Sequence, residues 1–222
     1  MGVALERFAE YNMARDNNAQ CKICRRAAVK LYLKGERCYT PKCAIVKRNY
    51  PPGVQGSKKA KPRLTPYGLQ LREKQKAKIY YGMSESQFRQ YFENASKKVG
   101  DTGVMMQQYL ELRLDNVVYR LGLVHSRQTA RELVSHGHFS VNGKKVTIPS
   151  YQVRVGDSIS VRDVKRKSAY FVALPKLMER YQTPQWLSCD VKNLEGKVLS
   201  IPTPEDAAPV YDMKSIVEFY SR

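Results

Sequence analysis

Acidic residues, histidines and long apolar runs are all scarce in this chain. Asp and Glu total 20 against 39 Lys and Arg in 222 residues, which gives a formal net charge of +19. No stretch approaches the roughly 18 to 20 apolar residues that a membrane-spanning helix requires, and the N-terminus has no secretory leader pattern. Only three histidines are present, and phosphate-binding glycine loops, HExxH and GxSxG motifs are absent. We therefore predict a non-enzymatic, cytoplasmic protein with no catalytic residues.

The excess of positive charge predicts a polyanionic partner, either nucleic acid or an anionic membrane surface. A hydrophobic content of 42% and an aromatic content of 10% indicate a folded chain rather than a disordered polycation. Residues 1–65 carry 15 basic and 4 acidic side chains, whereas residues 176–222 carry 6 and 7. The first two thirds of the chain are therefore expected to face the polyanion, and the C-terminal tail is expected to pack on protein.

Capping residues and apolar periodicity predict that the part of the chain before the last cluster of strands is mainly helical. Thr65-Pro66 can cap and begin a helix, because proline at the first helical position lacks an N–H that would be unsatisfied there. Ser84 and Gln87 form a capping box before apolar residues at helical spacing. Asp115 offers an alternative start for a separate short helix inside the third helical stretch. The predicted helices span about 66–78, 85–100, 102–121 and 127–136.

After Gly137 the pattern changes to strands. Asn142-Gly143 tolerates the positive φ angles of a type I′ turn, which predicts a hairpin between two short strands. The stretch 153–161 alternates around a second turn, and residues 170–174 predict another short strand. The sequence thus predicts an α+β fold, in which helices precede a module of helices packed on a small antiparallel sheet.

Four cysteines show the spacing of a structural zinc site. Cys21, Cys24, Cys38 and Cys43 follow the pattern Cys-x2-Cys-x13-Cys-x4-Cys, in which each short pair can occupy two vertices of a tetrahedron. Such a site leaves no position open for water, so that a Zn²⁺ ion would be structural. An iron–sulfur cluster and unmetallated thiols are the alternatives, and the inferred cytosolic location disfavours disulfides. Basic neighbours are expected to lower the thiol pKa values, namely Lys22, Arg25, Arg26 and Lys42.

The helix predicted at 127–136 offers a candidate RNA surface. Arg127 and Arg131 are i, i+4 neighbours, while Ala130 and Val134 can pack against the sheet. Such donors suit phosphate and 2′-hydroxyl contacts, and the alternative is a merely solvated helix face. The predicted RNA-binding residues are Arg25, Arg26, Lys30, Arg37, Lys42, Lys47, Arg48, Lys58, Lys59, Lys61, Arg63, Tyr67, Gln70, Arg72, Lys74, Lys76, Arg113, Arg127, Gln128, Arg131, His136, His138, Lys144 and Lys145.

Several motifs resemble the bacterial family of small-subunit ribosomal protein four. The segment from Arg113 to Asp157 resembles the RNA-binding module named after that family, and the resemblance extends in order over about residues 13–222. The motifs that carry it are Ser126-Arg-Gln-Thr-Ala-Arg131, Val141-Asn-Gly143-Lys, Leu31-Tyr-Leu-Lys-Gly-Glu-Arg-Cys38, Tyr67-Gly-Leu-Gln-Leu-Arg-Glu-Lys-Gln-Lys76 and Ile216-Val-Glu-Phe-Tyr-Ser-Arg222.

The resemblance implies a structural constituent of the small ribosomal subunit that binds 16S rRNA as a primary binder. It implies that the protein nucleates assembly of the subunit body at an rRNA junction and contributes to translational accuracy. The implied partners are the rRNA, ribosomal protein five of the small subunit and mRNA where it enters, with neither a membrane nor a small-molecule substrate. It also implies that the tail packs back on the helical domain, which makes the α+β module an insertion. The predicted divisions are an extension at 1–12, a zinc-binding segment at 13–48, an extended basic linker at 49–66, a helical domain at 67–110, the α+β RNA-binding module at 111–190 and the tail at 191–222.

Two departures from the family pattern stand out. Gln55 occupies a position where relatives usually have histidine, and residues 1–12 precede the usual start, so that we expect them to be dispensable for RNA binding. Two other functions fit the same RNA-binding module: an RNA-binding translational regulator and an RNA-modification protein. An enzyme would need an additional catalytic domain, and about 50 residues after the module are too few to hold one.

Overall fold

The computed structural model describes residues 19–54, 56–57, 64–178, 181–190, 193–207 and 209–222. Several sequence predictions lie outside these ranges, namely those on residues 1–12, on Gln55 and on the linker cations Lys58, Lys59, Lys61 and Arg63. Within the described ranges, no helix is long and apolar enough to cross a membrane.

Eleven α-helices lie in the described residues, and the predicted caps begin several of them. The Thr65 hydroxyl accepts a hydrogen bond from the backbone N–H of Gly68, and the Ser84 hydroxyl accepts one from that of Gln87. The predicted third helix is two helices, because the chain turns at Leu112 and Arg113. The helices are α1 (Gln20–Ala27), α2 (Ala44–Lys47), α3 (Pro66–Tyr80), α4 (Glu85–Ser96), α5 (Thr102–Glu111), α6 (Leu114–Arg120), α7 (Arg127–Ser135), α8 (Asp163–Arg166), α9 (Ala169–Met178), α10 (Pro204–Ala207) and α11 (Met213–Tyr220); a 3-10 turn covers Gly35–Cys38.

Within the part of the chain that the structure describes, one antiparallel sheet of five strands follows α7, in the order β2-β1-β3-β5-β4. The predicted hairpin is confirmed: Val141 pairs with Lys144, and both turn residues, Asn142 and Gly143, have positive φ. The stretch 153–161 is extended as a strand only in its second half. The strands are β1 (Phe139–Val141), β2 (Lys144–Lys145), β3 (Ser158–Val161), β4 (Leu187–Asp190) and β5 (Glu195–Val198). The sheet therefore includes residues beyond 190, where the predicted tail begins.

The prediction of a strand at 170–174 is wrong, because these residues form part of α9. Phe171 and Leu174 are buried, whereas Val172 between them is 67% exposed. Burial at i and i+3 is a helical spacing, and an isolated apolar run of five residues does not distinguish it from a strand.

Two apolar cores lie side by side. One core packs α6, α7 and α9 against the sheet and includes Phe139, Phe171 and Trp186. The other joins the cysteine segment to α3, α4 and α5, and it includes Tyr211 and Ile216 from the C-terminal tail. The tail helix α11 packs on α3 and α5, so that chain from both sides of the sheet module builds the helical domain.

Candidate nucleic-acid interface and thiol cluster

Four thiols surround one small cavity in the N-terminal segment. Cys21 and Cys24 lie on α1, Cys38 ends the 3-10 turn and Cys43 precedes α2. They line a cavity of about 20 Å³, which has room for one particle the size of a water molecule. All four are free thiols, and this donor set has the chemistry of a tetrathiolate metal site. Within the described ranges, however, no three His, Cys, Asp or Glu side chains are arranged to hold a metal ion.

Burial raises the pKa of two of these thiols, contrary to the sequence prediction. Burial is the largest cause for Cys24, and the neighbouring thiols raise its pKa further. Burial also raises the pKa of Cys38. The predicted lowering is wrong here because Lys22, Arg26 and Lys42 extend into solvent, where water weakens their effect on the cavity.

Arg25 holds the chain that leaves the cysteine segment. Its Nε donates to the Tyr50 carbonyl oxygen at 3.0 Å, and its Nη2 donates to the Pro51 carbonyl oxygen at 3.2 Å. The guanidinium carbon also lies 4.7 Å from the centroid of the Tyr50 ring. Arg25, a predicted RNA-binding residue, is therefore bound to the protein's own backbone. The other predicted cations of the segment remain accessible: Arg26, Arg37, Lys42, Lys47 and Arg48 are exposed, and Lys30 is half-buried.

The basic face predicted on α3 is largely neutralised by neighbouring acidic residues. The ammonium of Lys74 is buried, lies 2.5 Å from a Glu85 carboxylate oxygen and faces the Phe219 ring at 4.7 Å. This burial contradicts the prediction that Lys74 contacts RNA. Three other predicted residues of α3 also have protein partners: Lys76 pairs with Glu73 at 2.6 Å, Gln70 donates to Glu218 at 2.8 Å, and the Tyr67 ring packs on Phe219. Arg72 is half-buried.

Two of the arginines assigned to the RNA surface lie inside the protein. Arg113 is 1% exposed and forms a bidentate pair with Asp115 at 3.0 and 2.6 Å. Arg127 is 9% exposed and donates from Nε to the Asn116 side-chain oxygen at 2.7 Å. The prediction that α7 presents Arg127 to RNA is therefore corrected. Arg131 is half-buried, and its Nη1 donates to the Gly82 carbonyl oxygen at 2.8 Å.

Exposed donors remain at both ends of α7 and on the hairpin. Gln128 is exposed on α7, His136 is exposed directly after it, and Lys144 and Lys145 are exposed on β2. The aliphatic stem of Lys145 lies across Gly137, where a Cβ atom would meet its Cε at 2.5 Å. His138 is half-buried, and its pKa is lowered by burial and by nearby positive charge. It is therefore mainly neutral at pH 7.

A buried polar network connects the helical domain to the sheet module, and the sequence analysis does not predict it. Glu111 is fully buried and accepts from Arg120 at 2.9 and 3.0 Å, from Asn116 at 2.7 Å and from the Tyr81 hydroxyl at 2.7 Å. The Tyr81 hydroxyl also bonds to that of Tyr211 in the tail. Burial opposes ionisation of Glu111, but the attraction and hydrogen bonds of Arg120 lower its pKa overall. The only signal in the sequence is a set of polar residues within an otherwise apolar helical stretch.

Comparison with known proteins matches two family domains, one on each side of this network. The ribosomal protein S4/S9 N-terminal domain matches residues 15–111, and the S4 domain matches residues 112–159. Small ribosomal subunit protein uS4A of Alkaliphilus oremlandii is 56% identical over 210 residues, which cover 95% of this chain and all of that protein. The corresponding protein of Thermus thermophilus, uS4, is 50% identical with the same coverage. The chain belongs to the uS4 family.

Members of the uS4 family are structural proteins, which confirms the prediction that the chain is not an enzyme. The boundary between the two uS4 family models falls within the buried network. Glu111 is the last residue of the N-terminal match, whereas Asn116 and Arg120 lie in the S4 domain. The network therefore joins the two family domains at their junction.

Proposed function

We propose that this chain is a structural constituent of the small ribosomal subunit and binds its rRNA. The match to uS4 proteins over 95% of the chain carries this assignment. The exposed cations supply the chemistry, because phosphate contacts from many lysines and arginines give most of the affinity for RNA. The protein catalyses no reaction: it supplies a rigid surface on which RNA segments are held.

The distribution of accessible cations supports a role at an rRNA junction. One set lies in the cysteine segment, on Arg26, Arg37, Lys42, Lys47 and Arg48, and a second lies on the S4 domain, on Lys144 and Lys145. Two basic surfaces from different parts of one folded chain suit two RNA segments better than one continuous helix. We therefore propose that the protein acts in the cytoplasm as a primary binder that nucleates assembly of the subunit body. Contacts with ribosomal protein five and with mRNA, and a contribution to accuracy, belong to the same proposal.

A structural Zn²⁺ ion at Cys21, Cys24, Cys38 and Cys43 is the second part of the proposal. The four thiols lie on α1, at the end of the 3-10 turn and directly before α2, and they line one cavity, so that a bound ion would connect these three elements. Zinc supplies bonds that replace a hydrophobic core in small segments. The residues of this segment would then present their cations in a fixed arrangement.

Binding of the purified chain to the 5′ domain of small-subunit rRNA tests the assignment. A charge-matched unrelated RNA serves as the control, and both are titrated over a range of salt with and without a chelator. Preference for the rRNA that survives at moderate salt supports the proposed function, and weakening by chelator assigns the metal a role in it. Equal binding to both RNAs that disappears with salt would contradict it and favour a translational regulator.

A further inference from the structure

The guanidinium of Arg127 is held between aromatic rings at the junction of the two domains. Its central carbon lies 3.8 Å from the centroid of the Tyr80 ring and 4.4 Å from that of Tyr119. The Tyr81 ring lies at 5.4 Å. Planar guanidinium groups stack on aromatic faces in this way, whereas an ammonium acts as a point charge.

The rings belong to different domains. Tyr80 and Tyr81 come from the end of α3 and its C-cap in the N-terminal domain, whereas Tyr119 lies on α6 of the S4 domain. Arg127 itself is the first residue of α7, and its side chain extends across the junction to Tyr80. The cation is thus a bridge from the S4 domain to the N-terminal helices.

Most of the Arg127 guanidinium is turned away from solvent, since the residue is only 9% exposed. Nε donates to Asn116, and Nη2 is buried without a hydrogen-bond partner among the described residues. The charge faces the Arg120–Glu111 pair and the surrounding tyrosines rather than solvent. A side chain held in this way is placed to act on RNA binding through the domains that it joins.

We propose that Arg127 is a positioning residue, which fixes the S4 domain relative to the N-terminal helices and thereby sets the spacing of the two RNA-binding surfaces. The inference rests on the proposed function, since it assigns both surfaces to one RNA target. Its structural part, the orientation of the two domains, is independent of RNA.

The full-length variant Arg127→Lys tests this inference because it keeps the charge and removes the planar stacking group. Residual dipolar couplings of backbone amides in α3 and β3 measure the relative orientation of the domains without RNA. We expect the two sets of couplings to lose their common alignment. Affinity for the rRNA 5′ domain should fall about tenfold, a coupling effect reasonable for a residue that does not touch the ligand.

The dependence of affinity on salt separates positioning from contact. Loss of a phosphate contact reduces the salt slope by about one, as expected for Lys145→Gln. Arg127→Lys should lower affinity with an unchanged slope, and Arg89→Lys, on the exposed face of α4, should change neither quantity. A reduced slope with unchanged domain orientation would overturn the inference and make Arg127 an RNA contact. Unchanged orientation and unchanged affinity would also overturn it.

A second pair of variants keeps the test valid if Arg127→Lys does not fold. Tyr80→Phe retains the ring beneath the guanidinium and should keep the domain orientation, whereas Tyr80→Leu should release it. Equal behaviour of these two variants would contradict the inference. Absence of rRNA preference in the wild-type chain would contradict only the proposed function, because the orientation measurement uses no RNA.

Discussion

In the cysteine segment, residues 19–54, the buried apolar residues are Leu31 and the thiol side chains of Cys24, Cys38 and Cys43. In the sheet module, by contrast, large side chains such as Phe139, Phe171 and Trp186 are almost completely buried. Apolar burial contributes about 25 cal/mol per Å², so that the module has a large source of stability that the segment lacks. Small segments without such a core depend on metal ions, disulfides or a neighbouring domain.

The two regions therefore depend on different stabilising interactions. The cysteine segment shares its only large buried residue, Leu31, with the core of the helical domain. Most of its basic side chains extend outward from short helices that bury little of their apolar area. Bonds to a metal ion would supply the missing stability locally, whereas the sheet module needs none.

The largest expected effect comes from Cys24→Ser. If the four thiols hold Zn²⁺, removing one of the four ligands abolishes stoichiometric zinc and the hydrogen-exchange protection of α1 and α2. Cys189→Ser is the matched control, because that thiol is half-buried on β4 and lies outside the cavity. Metal analysis and regional hydrogen exchange measure both effects. Equal zinc content in the two variants would contradict the metal site and leave the segment dependent on domain packing alone.

Phe139→Ala makes the reciprocal change in the sheet module. Phe139 is completely buried against Phe171, and removal of such a ring costs about 3 to 5 kcal/mol. Trp186 is the only tryptophan and lies in the same core, so that its fluorescence in urea reports unfolding of this module. Zinc content should stay at its wild-type value under native conditions. A parallel loss of zinc would show that the two regions do not depend on separate interactions.

Glu111→Gln tests the junction between the domains. It removes the carboxylate that pairs with Arg120, and we expect a loss of about 3 kcal/mol because the guanidinium remains buried. Because Arg120 outweighs burial and lowers the pKa of Glu111 in the folded protein, this contribution is complete above the ordinary value of 4.5. It is lost as the pH falls through the lower folded-state value.

Urea unfolding at several pH values measures this contribution. The difference in stability between wild type and Glu111→Gln should be largest near neutral pH and should shrink on acidification below about 4.5. Glu132→Gln, on the exposed side of α7, is the control and should match the wild type. A difference that does not change with pH would contradict the assignment of an ionised, paired Glu111.

Local signals predicted the parts of the fold that local chemistry determines. Thr65 and Ser84 cap the helices that the sequence assigns to them, and Asn142-Gly143 forms the predicted turn. The prediction of a strand at 170–174 is wrong because so short an apolar run fits both a strand and a helix. The choice between them depends on tertiary neighbours, which a single sequence does not reveal. The pairing of β5 with β3 joins strands that are far apart in the sequence, so that local patterns do not predict it either.

The candidate site was predicted in its residue types more than in its geometry. The sequence shows which residues are basic, but it does not show which of them are exposed, because exposure depends on tertiary partners. Lys74, Arg113 and Arg127 meet Glu85, Asp115 and tyrosine rings that are brought together only by folding. The i, i+4 spacing of Arg127 and Arg131 correctly places them on one side of α7, but that side faces the helical domain rather than solvent.

The smallest expected effects concern the exposed hairpin lysines. Lys144→Gln and Lys145→Gln should each weaken rRNA binding about fivefold or less, because many phosphate contacts share the affinity. Each should also reduce the salt slope by about one if the ammonium contacts a phosphate. Lys97→Gln, at the exposed C-terminus of α4, is the charge-matched control for loss of one positive charge. An equal change in slope for all three variants would mean that net charge alone draws the RNA, so that the hairpin has no specific place in the interface.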